Sequence, residues 1–343
     1  MNEEKKQIFK KKIQKYLTII FIKSISCFKK EEVYQTLNGN AFGTKYTIIY
    51  ESKKDKNFAK QIDHLTYLLN KSLSTYLPNS DISKINKGES TIAVDKYFKE
   101  VFEKSLTIYK ETKGVFDPTV GVLVNAWGFG PGKSIKNLDQ VKLDSLMEFV
   151  GFDKVRIENN IVVKENPNIY FDFNAIAKGY GIDLIGRFLE EEGCENYLIE
   201  IGGEVRVRGV NSKQKIWRVG IENPNTDESR SWSSSVELNN ESMATSGNYR
   251  KFKIDSTGKK FVHTINAKTG QATESDLLSA TVISNSDCAN VDGYATAFMA
   301  MGLEQSKLFL NDHKELQAHL IYTNNEGEIK SYSTDNLQIT SIN

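Results

Sequence analysis

Asp292 and Thr296 stand four residues apart in a stretch rich in Ala, Met, Phe and Tyr, residues 288–302, that ends at Gly302. Residues i and i+4 share one helix face. The carboxylate and the hydroxyl therefore offer two hard oxygen donors, the ligand type of Mg2+. The same pair also suits an Asp favoured by the positive end of a helix, beside a Thr bonded back to its own backbone. A second cluster, DFNAIAKGYG over residues 172–181, reads as the start of another helix. Unpaired N–H groups at a helix start attract phosphate, Lys178 adds a positive charge one turn in, and Asp172 stands where it can orient a ligand. A capped surface helix with a solvated Lys fits the same residues. A third cluster lies in MATSGNYRKF and FVHTINAKTG within residues 243–270. Here His263 falls in a strand-like stretch, whereas His64, His313 and His319 read as members of charged helical segments. A histidine titrates near neutrality and suits general-base work, although many are structural.

Other chemistries find no support. There is no G-x-S-x-G elbow, H-E-x-x-H pair or Walker loop. Residues 113–132, KGVFDPTVGVLVNAWGFGPG, combine an Asp-Pro-Thr turn with a Gly-rich run. They lack the spacing and strand-to-helix context of a dinucleotide fingerprint. Cys194 and Cys288 are far apart without C-x-x-C spacing, so neither a zinc cluster nor a redox motif is indicated.

The elements that must position these residues follow from periodicity. KYTIIY after Gly43-Thr44 reads as a strand, and residues 57–73 carry Phe58, Ile62, Leu65, Leu69 and Leu73 at helical spacing. Asp95 caps a helix running to about Gly114, and a further helix covers about 139–150. KVRIENNIVVKE alternates as a hairpin turning at Asn159-Asn160. Asn174 is the expected cap, and Gly193 the expected stop, of a helix with Ile176, Tyr180, Leu184 and Phe188 on one stripe. NYLIEIGGEVRVRG, WRVGIENP, SSVELNN and LLSATVIS read as strands. The irregular alternation indicates an α+β fold: one large domain with mixed or antiparallel sheets and flanking helices.

Composition agrees. The 343 residues are 39% hydrophobic and 26% charged, enough apolar matter for a core. Lys plus Arg is 45 against 44 for Asp plus Glu, so no overall basic field exists to gather nucleic acid. The charge is nevertheless uneven. Residues 4–15 read EKKQIFKKKIQK, an apolar run spans residues 17–22, and Ser24-Ile25-Ser26-Cys27 follows. This is the layout of a bacterial lipoprotein export signal, although a basic tail on a cytoplasmic protein has similar features. The expected organisation is a signal over residues 1–26, a tether over 27–39 and a domain over 40–343.

Taken together, GNAFGTKYTI, STYLPNSDISKIN, GVFDPTVGVLVNAWGFGP, FDFNAIAKGYGIDLIGRFL, YLIEIGGEVRVRG, MATSGNYRKF, HTINAKTG and VDGYATAFMAMG occur in this order between residues 39 and 305. The chain thereby resembles the ApbE family of FAD:protein FMN transferases. The resemblance implies a Mg2+-dependent enzyme that cleaves the pyrophosphate of FAD, places FMN on a Thr or Ser hydroxyl of a partner protein and releases AMP. It also implies that Asp292, Thr296 and the backbone carbonyl of Ala175 hold the metal, and that His263 acts as general base on the acceptor hydroxyl. Phe42, Tyr76, Phe116, Asp117, Asp172, Lys178, Thr264 and Ile265 would contact FAD or line its cleft. The chain reads Asn266-Ala267-Lys268-Thr269-Gly270 where D-P-x-T-G is usual, which removes a carboxylate. Family members are frequently exported lipoproteins, so a lipid anchor at Cys27 on the periplasmic side of the cell inner membrane is expected, facing membrane-bound redox partners. An FAD pyrophosphatase and a non-enzymatic flavin-binding lipoprotein are the competing functions.

Overall fold

The computed structural model describes residues 33–52, 55–136, 138–224, 232–248, 252–254, 260–272 and 276–342. The export signal read over residues 1–26, and Cys27 with it, lies outside these. The chain opens with strands β1 (Val33–Ala41) and β2 (Thr44–Ser52), then helices α1 (Ala59–Leu73), α2 (Asp81–Asn86), α3 (Lys96–Glu111), α4 (Gly121–Ala126) and α5 (Gln140–Met147). A hairpin of β3 (Val155–Glu158) and β4 (Ile161–Lys164) leads to helix α6 (Ala177–Glu191). Strands β5 (Tyr197–Ile201), β6 (Glu204–Arg208), β7 (Trp217–Glu222), β8 (Trp232–Leu238), β9 (Ser242–Gly247), β10 (Phe252–Ile254), β11 (Lys260–Val262) and β12 (Leu277–Ser284) follow. Helices α7 (Cys288–Met301) and α8 (Leu303–Asp312) precede β13 (Gln317–Thr323), β14 (Ile329–Ser333) and β15 (Ile339–Ser341).

Eight strands form one sheet in the order β1-β2-β5-β6-β9-β12-β13-β14, with every neighbouring pair antiparallel. Side chains alternate between its two faces, as the strand period of two requires. Ile48, Tyr50, Ile199 and Val282 enter a large core shared with helices α1, α3, α6 and α7. Their neighbours Ile49, Leu198 and Ile283 enter a second core with Trp217, Ile221, Val236 and Leu238 of the β15-β8-β7 sheet. The centre of the main sheet is thus covered on both faces: helices on one side, a three-stranded sheet on the other.

The expected α+β class stands, and several local signals act as read. Asp95 accepts a hydrogen bond from the Phe98 amide at the start of α3, and LLSATVIS is β12. Asn159 and Asn160 both take positive φ at the β3–β4 turn. Three expectations change. Residues 33–39, read as tether, are paired in β1 along the whole length of β2, because backbone hydrogen bonding does not need an apolar pattern. Asn174 does not cap α6, which begins behind Ile176 with no side-chain cap; Asn174 instead donates its amide to Asp172 in a preceding turn. His319 lies in β13 rather than a helix, buried and paired with Ser333.

Candidate active site

The N-terminal ends of α6 and α7 meet. A Cβ on Gly179 would stand 2.4 Å from the Cys288 carbonyl oxygen, so only glycine allows the two helix starts to approach this closely. The approach brings the Gly179 amide to the Asp292 carboxylate, where it donates a 3.0 Å hydrogen bond. Lys178, one residue earlier, pairs with Glu204 at the start of β6 at 2.6 Å. Asp292, Lys178 and Glu204 therefore form one cluster drawn from two helices and a strand.

A separate ionic cluster fixes α7 in place. The first two amides of the helix, Cys288 and Ala289, donate to Asp183 of α6 at 2.8 and 2.9 Å. Asp183 is fully buried and held at 2.6 Å by Arg206, which also reaches Asp287 at 3.0 Å. Burial, and then the nearby charge of Asp287, push the Asp183 carboxyl up to about 6. Lys104 and Arg187 complete the charge balance on Asp287. Burial acts to raise Asp287, but these cations hold it below the ordinary carboxylate value.

In the candidate centre, burial and then the charge of Glu204 drive the Asp292 carboxyl well above the ordinary carboxylate range, against the pull of Lys178 and the Gly179 amide. Burial acts to lower the Lys178 ammonium, but Glu204 and Asp292 raise it above its ordinary value. With both carboxylates ionised, Asp292 and Glu204 exceed the Lys178 ammonium by one negative charge, which a bound cation would offset. The oxygen donors suit a hard divalent cation: the Asp292 carboxylate, the Thr296 hydroxyl one turn along α7, and the Ala175 carbonyl in the turn leading to Lys178. One Glu204 oxygen is buried with no hydrogen-bond partner among the described residues, an acceptor that calls for a donor from outside the chain. Among the described residues no group of three or more His, Cys, Asp or Glu side chains is placed to hold a metal ion.

Strand β9 links this centre to the histidine. Thr296 shares a 3.2 Å hydrogen bond with Ser246, and two residues on Asn248 accepts a 3.2 Å hydrogen bond from Thr264, the neighbour of His263. His263 follows β11 directly and is partly buried. Ile265 then anchors the loop in a third core with Leu123, Leu143, Val150 and Ala272. Trp127 donates its indole N–H to the Gly270 carbonyl at 2.9 Å and pins the loop's far end. Within that loop the Asn266 side chain accepts from the amides of Lys268 at 2.9 Å and Thr269 at 3.2 Å. The side-chain oxygen thus closes the turn, as a carboxylate oxygen would, while the amide NH2 makes a long 3.5 Å contact to the Ala300 carbonyl.

The remaining expected residues divide into two groups. Tyr76 is exposed, and partial burial, then the charges of Asp172 and Tyr170, raise its phenol. The Phe42 ring packs where a Cβ on Gly181 would stand, which holds the β1–β2 turn against α6. By contrast, Phe116 is buried in the main core and Asp117 spends both oxygens inside the protein, accepting from Thr119 and from the Phe152 amide. Burial pushes the Asp117 carboxyl up to about 6 in spite of these donors. Its role here is to lock the Asp-Pro-Thr turn. Glu204, Ser246 and Asn248 were missed in the sequence because each reads as an ordinary strand or turn residue. Glu204 follows Gly202-Gly203, and such a Gly-Gly turn opening on an acidic residue is the one signal that marks it.

The sequence model described as the ApbE family matches residues 42–320. A Haemophilus influenzae protein named FAD:protein FMN transferase is 31% identical over 338 residues, covering 95% of this chain and 97% of its own length. A Vibrio cholerae protein of the same name is 33% identical over 310 residues, covering 88% of this chain and 91% of its own length. Among solved structures, the flavin transferase ApbE from Vibrio cholerae superposes with a TM-score of 0.77 at 31% identity, covering 89% of this chain and 98% of that one. The apo form of Pseudomonas stutzeri flavinyl transferase ApbE gives 0.79 at 27% identity, covering 89% and 95%.

Proposed function

The chain belongs to the ApbE family, and from that premise we propose that it is a Mg2+-dependent FAD:protein FMN transferase acting on a Thr or Ser hydroxyl of an acceptor protein. The observation that carries this reading is the meeting of the α6 and α7 starts, where Asp292, Lys178 and Glu204 converge. When bound by Asp292, Thr296 and the Ala175 carbonyl, the cation supplies charge neutralisation on the pyrophosphate. Lys178 supplies a fixed positive charge to phosphate oxygens, beside the amides of the α6 start. Tyr76 and Phe42 offer aromatic surface for the flavin, and Asp172 fixes its edge. His263 takes the proton from the acceptor hydroxyl at a ring nitrogen. The hydroxyl oxygen forms its bond to the FMN phosphorus as the bond to the bridging oxygen of AMP breaks. Transfer rather than hydrolysis requires that this loop admit a protein hydroxyl in preference to water.

The test is incubation with FAD, Mg2+ and an acceptor bearing a Thr motif, read by mass spectrometry for one added FMN on the acceptor. Asp292→Ala is expected to abolish the adduct because it removes the only charged metal ligand. Adduct formation at the wild-type rate by that variant sinks the assignment. Equal production of free FMN with and without acceptor favours an FAD pyrophosphatase instead. The basic run, apolar run and Cys27 support lipid anchoring at the periplasmic face of the inner membrane, near membrane-bound redox acceptors. Among the described residues no helix is long and apolar enough to cross a membrane. Fatty-acid labelling lost in Cys27→Ala is the expected result for the anchor.

A further inference from the structure

Glu204 has no assigned role in the reading above, yet its environment is unusual. Its side chain is 4% exposed, one oxygen holds the Lys178 ammonium at 2.6 Å, and the other is buried without a hydrogen-bond partner among the described residues. A carboxylate oxygen taken from water and left unpaired is costly, so such an atom calls for a compensating occupant. Glu204 opens β6, whose next residue, Val205, accepts a weak hydrogen bond through its carbonyl from the thiol of Cys288, the first residue of α7. The same helix carries Asp292 and Thr296, and the lysine that Glu204 holds directly precedes Gly179, whose amide donates to Asp292. The orphan oxygen therefore belongs to the Asp292 neighbourhood.

We propose that Glu204 is a positioning residue for the divalent cation, its unpaired oxygen accepting a hydrogen bond from a water on the bound ion. The inference rests on the metal reading given above. Two features favour a contact through water over direct ligation. Mg2+ dehydrates reluctantly and usually keeps several waters, and the other Glu204 oxygen is already committed to Lys178, which restrains the carboxylate. Outer carboxylates of this kind orient the inner shell and commonly govern affinity about ten- to a hundredfold. Lys178, being cationic, opposes the ion electrostatically; Glu204 holds that ammonium aside and adds the negative charge that Asp292 alone does not supply.

Magnesium binding to the full chain, titrated with MgCl2 alone by calorimetry, tests this in four proteins: wild type, Glu204→Gln, Lys178→Met and Asp292→Asn. Thermal unfolding in EDTA shows whether each is folded. Gln keeps the acceptor for Lys178 but replaces the orphan oxygen with an amide N–H donor. Glu204→Gln is expected to weaken Mg2+ binding about tenfold or more with no loss of metal-free stability, while Lys178→Met binds at least as tightly as wild type. Wild-type Mg2+ affinity in Glu204→Gln overturns the proposal. So does equal weakening in Lys178→Met, because Glu204 would then act only through the lysine. A Glu204→Gln that is unfolded in EDTA also overturns it, by making the residue structural. Unchanged Mg2+ binding in Asp292→Asn, or none in wild type, instead overturns the metal reading on which the inference stands.

Discussion

Gly179→Ala tests how far the site depends on the contact between α6 and α7. In an exposed helix the substitution gains about 1 kcal/mol, because glycine loses more backbone freedom on folding. Here the new methyl would lie 2.4 Å from the Cys288 carbonyl oxygen, 2.7 Å from its carbon and 2.8 Å from the Ala289 nitrogen. All three are backbone atoms, so no rotamer change relieves the clash. Restoring ordinary contact moves the helices apart by about 1 Å, and overpacking of this kind costs about 1–3 kcal/mol. The propensity gain offsets part of that, leaving a net loss on the order of 1 kcal/mol and a Tm lower by about 1–2 °C. Function falls further. The Gly179 amide sits 3.0 Å from the Asp292 carboxylate, and a displacement of that size takes it out of hydrogen-bonding range. Misplacement by about 1 Å commonly costs about a hundredfold in rate. FMN transfer measured at saturating FAD, with Mg2+ titrated in parallel, is expected to show that drop together with weakened Mg2+ activation. Wild-type rate and wild-type Mg2+ response in a folded Gly179→Ala protein refute the claim that this approach builds the site.

Other residues give independent checks. Asp117 is raised from 3.8 to about 6, so the folded state holds a proton that the unfolded chain releases. Its stabilising contribution is full below about pH 4 and is lost as pH rises through 6, a change of about 3 kcal/mol. Urea unfolding from pH 4 to 7 should therefore show Asp117→Asn gaining on wild type by up to about 3 kcal/mol; parallel pH curves contradict the burial argument. Trp127→Phe removes the indole bond to Gly270 and is expected to cost about 1 kcal/mol in urea. It should also slow transfer to the acceptor more than it weakens FAD binding, since the loop it pins carries His263. Asn266→Asp should retain the turn and give up only the long 3.5 Å contact to Ala300, whereas Asn266→Ala also loses both amide contacts and about 1 kcal/mol, measured in the same way.

The elements that hold the site were legible because their determinants are local. The spacing of Ile62 and Leu69, the cap at Asp95, the Asn159-Asn160 turn and the run LLSATVIS each act within a few residues. Asp292 and Thr296 were legible as a pair for the same reason, being one turn apart on one helix. The N-terminal cap of α7 was not, since its acceptor is Asp183, 105 residues upstream of Cys288. Nor was the strand at residues 33–41, whose pairing rests on backbone groups that every residue carries.

By itself the sequence determined the periodicities, the turns and an ordered set of motifs, because hydrophobic spacing and backbone preference are properties of neighbouring residues. Only the tertiary structure decided which charges meet. Lys178 turns to Glu204 rather than to water, Asp117 turns inward, and Asp292 receives the Gly179 amide. Those partners come from different elements, and their energies depend on a shared low-dielectric interior that exists once the helices pack on the sheet.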